Sequence, residues 1–536
     1  MPQDTTCAEC QFEAMHPYFP SVNPIELVRS GCSTFDISHI SIVNDIIRLT
    51  RELRHIEPLF LKIRDRHDRI LKDIACSKSL LAPIRRLPRE TLLLIFGHLS
   101  SQNSDMREGP WILGHVCSTW RKISRSCPSL WTKIDISSKY GSSSFFNEFA
   151  SLSGDLSIQL SVDYNSKYTL RRLRALLPHS QRWSSLDLNV RPANLSELLS
   201  LISLPLIHLS VVKISVSGAY SPPHHGRITD PNLFSSSPIT DATFDDFPYL
   251  ILPINVRMLQ RFRACFYNPD EIGSIFRNAS DLIEIVITMC PRPRPRDVEP
   301  ALPIPYPSVS HTSLRQLSFV RTWENAEDVI NVSQIFDYIT LPTLKEFQIL
   351  AWPRPIDDEF PRWLEHVEYS RIVNLLHRSG CDLTDLRFSI PVPVQSFLIP
   401  VLRQSPALEK FDVFIDTDTA GDVFRALTLP EGQVPKLRKL RIEDTPYAKC
   451  ALLQEGDAFH AMVRSRLGGD TNSHLKTLRL SLTLLHPFGS LFPVAQDSPF
   501  RDLLKMKEEG LDVEFLFNME ECLVEGEAST VFFGSR

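Results

Sequence analysis

The apolar positions of this chain change period along its length, and each change marks an element. From Ile42 they run Ile46, Leu49, Leu53, Ile56, Phe60, Ile63, Ile70 and Ile74 in alternating steps of four and three, with His67 at the one missing place. That is a heptad seam, and it predicts helix across 35–79. Pro58 lies inside it and removes a backbone donor, so the pattern predicts a kink there or two shorter helices. Leu92 to Phe96 are apolar at adjacent positions and point all around a helix predicted from Pro88 to Leu99. Pro88 suits its opening turn and Glu90 the positive end of its dipole. So short and charged a region cannot bury two faces of a helix by itself, and a partner surface is implied. Beyond the polar run Ser100–Gly109, a second predicted helix, Trp111–Ile123, carries Ile112, Val116, Trp120 and Ile123 as a stripe that should pack on the first.

After Trp131 the period shortens to short strands of the form apolar-x-x-apolar-x-apolar. They recur from Trp183-Leu186-Leu188, through Leu344-Phe347-Ile349 and Leu437-Leu440-Ile442, to Leu475-Leu478-Leu480, with starts 20 to 39 residues apart. Helical candidates lie between them at Ala326–Ile339, Trp363–Arg378, Val394–Arg403 and Asp457–Arg466. A strand followed by a helix cannot bury its apolar side alone, so the repeats must stack on one another.

Two resemblances rest on these residues. Leu87-Pro88-x-Glu90, Ile95-Phe96-x-x-Leu99, Val116-Cys117-x-x-Trp120-Arg121 and Pro128-x-Leu130-Trp131 together resemble an F-box, in the version of large fungal families with a coiled-coil lead-in. The resemblance implies docking onto a Skp-type adaptor, and through it a cullin-RING ubiquitin ligase. The residues it implies for adaptor binding are Leu87, Pro88, Glu90, Leu93, Phe96, Leu99, Val116, Trp120, Leu130 and Trp131. From Trp183 onward the repeats resemble leucine-rich repeats, with departures. Where that family favours Asn or Cys, Cys290 qualifies, but Trp352, Asp416 and Thr445 stand at the equivalent places.

The expected fold is therefore α+β and multidomain. It comprises a disordered arm at 1–34, an amphipathic helix or coiled coil at 35–79, and an F-box at 80–136. A connecting segment and cap follow at 137–182, and an irregular leucine-rich-repeat-like α/β solenoid at 183–536. Because strand side chains alternate, the residues flanking the second and third apolar positions form a row across the sheet: Glu284, Gln316, Glu346, Gln348, Asp385, Arg387, Asp412, Lys439, Arg441 and Arg479. The row turns from acidic to basic toward the C-terminus. It is either a face for a protein substrate carrying both signs of charge or an ordinary solvated sheet face.

Composition narrows the function. The 536 residues are 43% hydrophobic and 23% charged with a net charge of -5, which gives no global footprint for nucleic acid. The local excess at 48–89, twelve Lys/Arg against five Asp/Glu, lacks interleaved aromatics other than Phe60 on the seam and reads as the outer face of a coiled coil. Eleven scattered Cys point to a reducing compartment, hence an intracellular protein of the cytoplasm or nucleus. No signal-peptide order opens the chain, and its most apolar long stretch, Leu198–Val216, is interrupted by Pro205, His208 and Lys213, so no membrane span is expected. There is no glycine-rich phosphate loop, HExxH, GxSxG or paired CxxC, so neither catalysis nor a cofactor is expected.

Three smaller features carry two readings each. Cys7 and Cys10 with His16 and Cys32 are a candidate metal set or chance placement in an arm. His224-His225 are ligands or a solvated turn. Pro291 to Arg296, alternating Pro and Arg, grips an acidic peptide or acts as a stiff connector. The sequence thus supports a non-catalytic substrate receptor of a ubiquitin ligase, or alternatively an adaptor-bound scaffold without a ubiquitination role. Self-association through 42–74 is open.

Overall fold

A computed structural model of the chain describes residues 23–30, 39–102, 109–137, 142–164, 167–202, 206–216, 234, 236–248, 254–266, 269–289, 308–321, 333–351, 368–390, 392–416, 418–430, 433–444, 451–467, 475–484, 503, 505–507 and 510–519. The chain divides into two compact units, 1–95 and 96–536.

In the first unit, α1 (Pro24–Ser30) lies within the stretch expected to lack order, so that expectation fails for these seven residues. Pro24 opens it, at the place where a missing N–H costs nothing. The heptad region is a single helix, α2 (His39–Leu81), which runs through Pro58 rather than splitting there. One interior Pro removes one bond from a ladder of 43 residues, and propagation on both sides outweighs that local loss. None of its side chains is buried. A 3₁₀ turn at Pro83–Arg86 leads to α3 (Arg89–Gln102), where the Pro88 carbonyl accepts from the Leu92 N–H at 3.1 Å.

In the second unit the predicted helix Trp111–Ile123 is instead two, α4 (Pro110–Val116) and α5 (Ser118–Arg125). Cys117 between them is extended, with φ -163° and ψ 170°, and its Sγ accepts from the Trp120 N–H at 3.5 Å, capping α5. Arg121 Nε donates to the Gly114 carbonyl at 2.7 Å and ties the corner. Because of this break, Ile112 and Val116 remain exposed instead of joining the packed stripe expected of them.

The strands follow in chain order: β1 (Lys133–Asp135), β2 (Ile158–Asp163), β3 (Trp183–Val190), β4 (Val211–Val216), β5 (Asp241–Pro248), β6 (Arg261–Phe266), β7 (Glu284–Met289), β8 (Val309–Ser310), β9 (Gln316–Arg321), β10 (Ile339–Thr340), β11 (Glu346–Ala351), β12 (Asp385–Phe388), β13 (Lys410–Ile415), β14 (Lys439–Asp444), β15 (Thr477–Leu484) and β16 (Asp512–Met519). β8 and β10 pair separately; the other fourteen form one sheet in unbroken sequential order, every pair parallel. Among the described strands the order never reverses, unlike that of a doubly wound α/β sheet.

The motif explains the packing. In β13, Phe411 and Val413 are buried while Lys410 and Asp412 face away, and Leu408 just before the strand is fully buried. Phe319, Phe347, Phe388 and Phe411 run from strand to strand beneath the sheet, with centroids 6.4, 6.5 and 6.4 Å apart. At several turns one carbonyl accepts twice from the next repeat: Arg315 from Lys345 and Glu346, Lys345 from Thr384 and Asp385, Glu409 from Arg438 and Lys439. Asp416, at a place the repeat family gives to Asn, does the same work. Its Oδ1 accepts from the N–H groups of Asp418 and Thr419 at 3.1 and 2.9 Å.

The sheet starts earlier than Trp183, since β1 and β2 lie in the segments expected as F-box and connector. Among the helical candidates, 363–378 overlaps the helix Tyr369–Ser379 from Tyr369 on, and 457–466 lies in the helix Gly456–Leu467. The candidate 394–403 forms a π turn, Val394–Leu398, running into the helix Ile399–Arg403. Ala326–Ile339 is overturned where described: Ser333–Asp337 is a 3₁₀ turn and Ile339 opens β10.

Candidate functional site

The first candidate region is the stretch of chain that carries α3, α4 and α5, taken one unit at a time. In the first unit, Leu92 is buried and Leu93 and Leu87 are half-buried, Pro88 and Glu90 are exposed, and Leu94 is 76% exposed. In the second unit, Phe96 is fully buried and lies 4.8 Å from the half-buried Trp120 ring, while Leu99, Ile112 and Val116 are 44%, 43% and 51% exposed. Leu130 and Trp131 belong to the core. Trp131 donates from Nε1 to the Ser124 carbonyl at 2.8 Å, stacks edge-on to Phe149 at 4.8 Å and lies 6.3 Å from Trp111.

Three of the ten residues expected at an adaptor, Phe96, Leu130 and Trp131, are instead buried in the core of the second unit. The apolar residues that reach solvent include two outside that set, Leu94 and Ile112. All-round apolarity of the helix was the only signal for Leu94, and it does not say which side faces out.

The second candidate surface is the face of the sheet away from the phenylalanine ladder. Register stacks Asp385, Lys410, Lys439, Thr477 and Asp512 in one row and Arg387, Asp412, Arg441, Arg479 and Glu514 in the next. A hollow of about 470 Å³ opens on these rows, lined by these residues apart from Glu514 and joined by Gln348 and Leu440. Seven residues of the expected face line it: Gln348, Asp385, Arg387, Asp412, Lys439, Arg441 and Arg479. Glu284, Gln316 and Glu346 lie on the same row over β7, β9 and β11, outside the hollow.

Ion pairs cross the strands. Lys410 bonds Asp385 at 3.0 Å, Arg387 lies 3.6 Å from Asp412 and Arg479 pairs with Glu514 at 2.7 Å. The acidic-to-basic trend accordingly stops at β15, because β16 returns carboxylates to the edge. Burial raises the Asp412 carboxyl above the ordinary range against the pull of Arg387 and Arg441. Burial likewise raises Glu346, reinforced by Asp385 and Glu284 against the pull of Lys410. Burial lowers the Arg441 guanidinium, with Arg387 and Arg479 adding to the effect of desolvation and Asp412 opposing it, and its buried Nε has no hydrogen-bond acceptor.

Among the described residues no cluster of three or more His, Cys, Asp or Glu is placed to hold a metal, and no helix is long and apolar enough to cross a membrane. Cys7, Cys10, His16, Cys32, His224, His225, Cys290 and Pro291–Arg296 lie outside the described residues.

Residues 84–137 match the F-box-like family model, the stretch that holds the expected motif. The match supports an adaptor-binding role of the kind F-box domains have in ubiquitin ligases, where they bind Skp-type adaptors. Comparison of the whole chain with curated proteins returned no match.

Proposed function

We propose that this chain is the substrate-recognition subunit of a Skp-cullin-F-box type ubiquitin ligase and has no catalytic role of its own. Segment 84–137 docks on the Skp-type adaptor, and a leucine-rich-repeat-like solenoid built on the fourteen-stranded sheet offers its polar face to a protein substrate. The observation that carries the reading is Leu94, a large apolar side chain 76% exposed within the segment that matches an F-box. The sheet face adds a rigid, charged platform whose acidic part, Glu284 to Asp385, precedes a cationic one, Arg387 to Arg479, so it suits a partner with both signs of charge. The heptads of α2 form a coiled coil with a second copy or another helix, since their seam is otherwise left in water. The protein acts inside the cell, in cytoplasm or nucleus.

Affinity purification tests the proposal. Wild-type chain should bring down both the adaptor and a cullin, and Leu94→Glu should lose both together. Adaptor without cullin would favour a scaffold outside ubiquitination.

A further inference from the structure

We infer that the hollow over β12 to β15 receives an anionic side chain of a peptide, so that the substrate contributes an acidic or phosphorylated residue there. The inference rests on the reading of the sheet face as the substrate side and adds the chemistry that face selects.

The charge of the lining is unbalanced. Five cationic side chains, Arg387, Lys410, Lys439, Arg441 and Arg479, face three carboxylates, Asp385, Asp412 and Asp512. Lys410 is committed to Asp385, and Arg479 reaches out of the hollow to Glu514. Asp412 holds Arg387 only at 3.6 Å. Lys439 is exposed and makes no ion pair among the described residues, and Arg441 has a buried donor without an acceptor there.

Arg387 and Arg441 thus flank one carboxylate, Asp412, at positions that register fixes on neighbouring strands about 4.8 Å apart, with Lys439 two residues before Arg441 on the same strand. An arriving anion meets planar donors already held in place, the arrangement that binds carboxylate and phosphoryl oxygens in pairs. The hollow is sized for side chains rather than a folded domain. Its one apolar lining residue is Leu440, and it has no aromatic platform, so bases of a single-stranded nucleic acid would find nothing to stack on.

The test uses full-length chain purified with its adaptor and three degenerate peptide pools, carrying phosphoserine, glutamate or glutamine at two central positions. The phosphoserine and glutamate pools should be retained at least about fivefold above the glutamine pool. Lys439→Glu and, separately, Arg441→Gln should bring them down to the glutamine level with an unchanged unfolding midpoint. Retention of the phosphoserine pool alone also supports the site and assigns it to a modified substrate. Equal retention of all pools, retention of none, or unchanged retention by both variants overturns the inference. The adaptor is read in the same preparation. Its loss would count against the F-box reading alone, and glutamine peptides held as well as anionic ones would leave the substrate face standing without its charge selectivity.

Discussion

Arg387 and Arg441 flank Asp412 on the two neighbouring strands, yet only Arg387 comes within ion-pair reach of it, at 3.6 Å. Arg441 sits at the opposite register position with its Nε buried and unpaired. A parallel sheet stacked in sequential order makes this possible, because it repeats one side-chain position on every strand and so brings like charges into a line.

The pH dependence of the hollow follows from Asp412. The groups facing it are Lys410 on its own strand, Asp385 and Arg387 on one side, Lys439 and Arg441 on the other, and Arg479 one strand further. Its folded carboxyl titrates above the ordinary range, so the folded state holds that proton more tightly than the unfolded one does. The contribution of this group to stability therefore grows as pH falls through the raised value. Protonation also removes the charge of the carboxylate that lies between Arg387 and Arg441. Retention of glutamate peptides should rise as pH falls through the raised value, and Asp412→Asn should bind more tightly at pH 7 and lose that rise. A flat profile in wild type would contradict this assignment.

Leu94 and Phe96 should separate docking from folding. Burying Leu94 at an adaptor is worth about 2 kcal/mol, so Leu94→Ala should weaken adaptor binding by roughly 30-fold while leaving the melting temperature within a degree or two. Phe96→Ala should instead cost about 3 to 5 kcal/mol of stability. Binding isotherms and melting curves on both variants check the pair.

Arg466 is a structural charge. It is fully buried, donates to the carbonyls of Leu427, Gln433 and Val434 at 2.8, 3.0 and 3.1 Å, and burial pushes its guanidinium down to about 10, leaving it charged at neutral pH. Arg466→Met should leave these carbonyls unpaired and cost about 3 kcal/mol or more, visible as a lower urea midpoint. Adaptor binding by the folded fraction should be unaffected.

The cysteines give a chemical check of the same packing. Cys381 and Cys265 are buried, and burial pushes the Cys381 thiol up to about 11, whereas Cys76 is exposed on α2. Alkylation at pH 8 followed by mass spectrometry should label Cys76 first and both buried residues only on unfolding.

Much of the fold was legible because it is written in period. The steps of three and four predicted α2, and the repeated strand motif located the strands from β3 through β15, apart from the short β8 and β10 and from β4. There the motif read at Leu206-Leu209-Val211 falls three residues early: Val211 is exposed, and Val212 and Ile214 are the buried positions. β1 was hidden because Trp131-Ile134-Ile136 has the repeat's own spacing but lies inside the F-box pattern. β16 was missed because Gly510, with φ +102°, stands where register with Leu475 would place the first apolar residue. The break at Cys117 had no signal, since cysteine is not a usual cap. For the sites, alternation along strands placed the charged row together on one face of the sheet, but a helix apolar on all sides could not reveal that Phe96 is buried and Leu94 exposed.

The most direct measurement is an affinity purification of full-length chain, under proteasome inhibition, with two variants in parallel: Leu94→Glu, and the charge reversal Lys439→Glu/Arg441→Glu/Arg479→Glu. Wild type should carry adaptor, cullin and a set of further proteins. Leu94→Glu should lose adaptor and cullin but keep that set, and the charge reversal should lose a subset of it while keeping adaptor and cullin. Undiminished adaptor and cullin on Leu94→Glu, with the protein folded, would contradict the account.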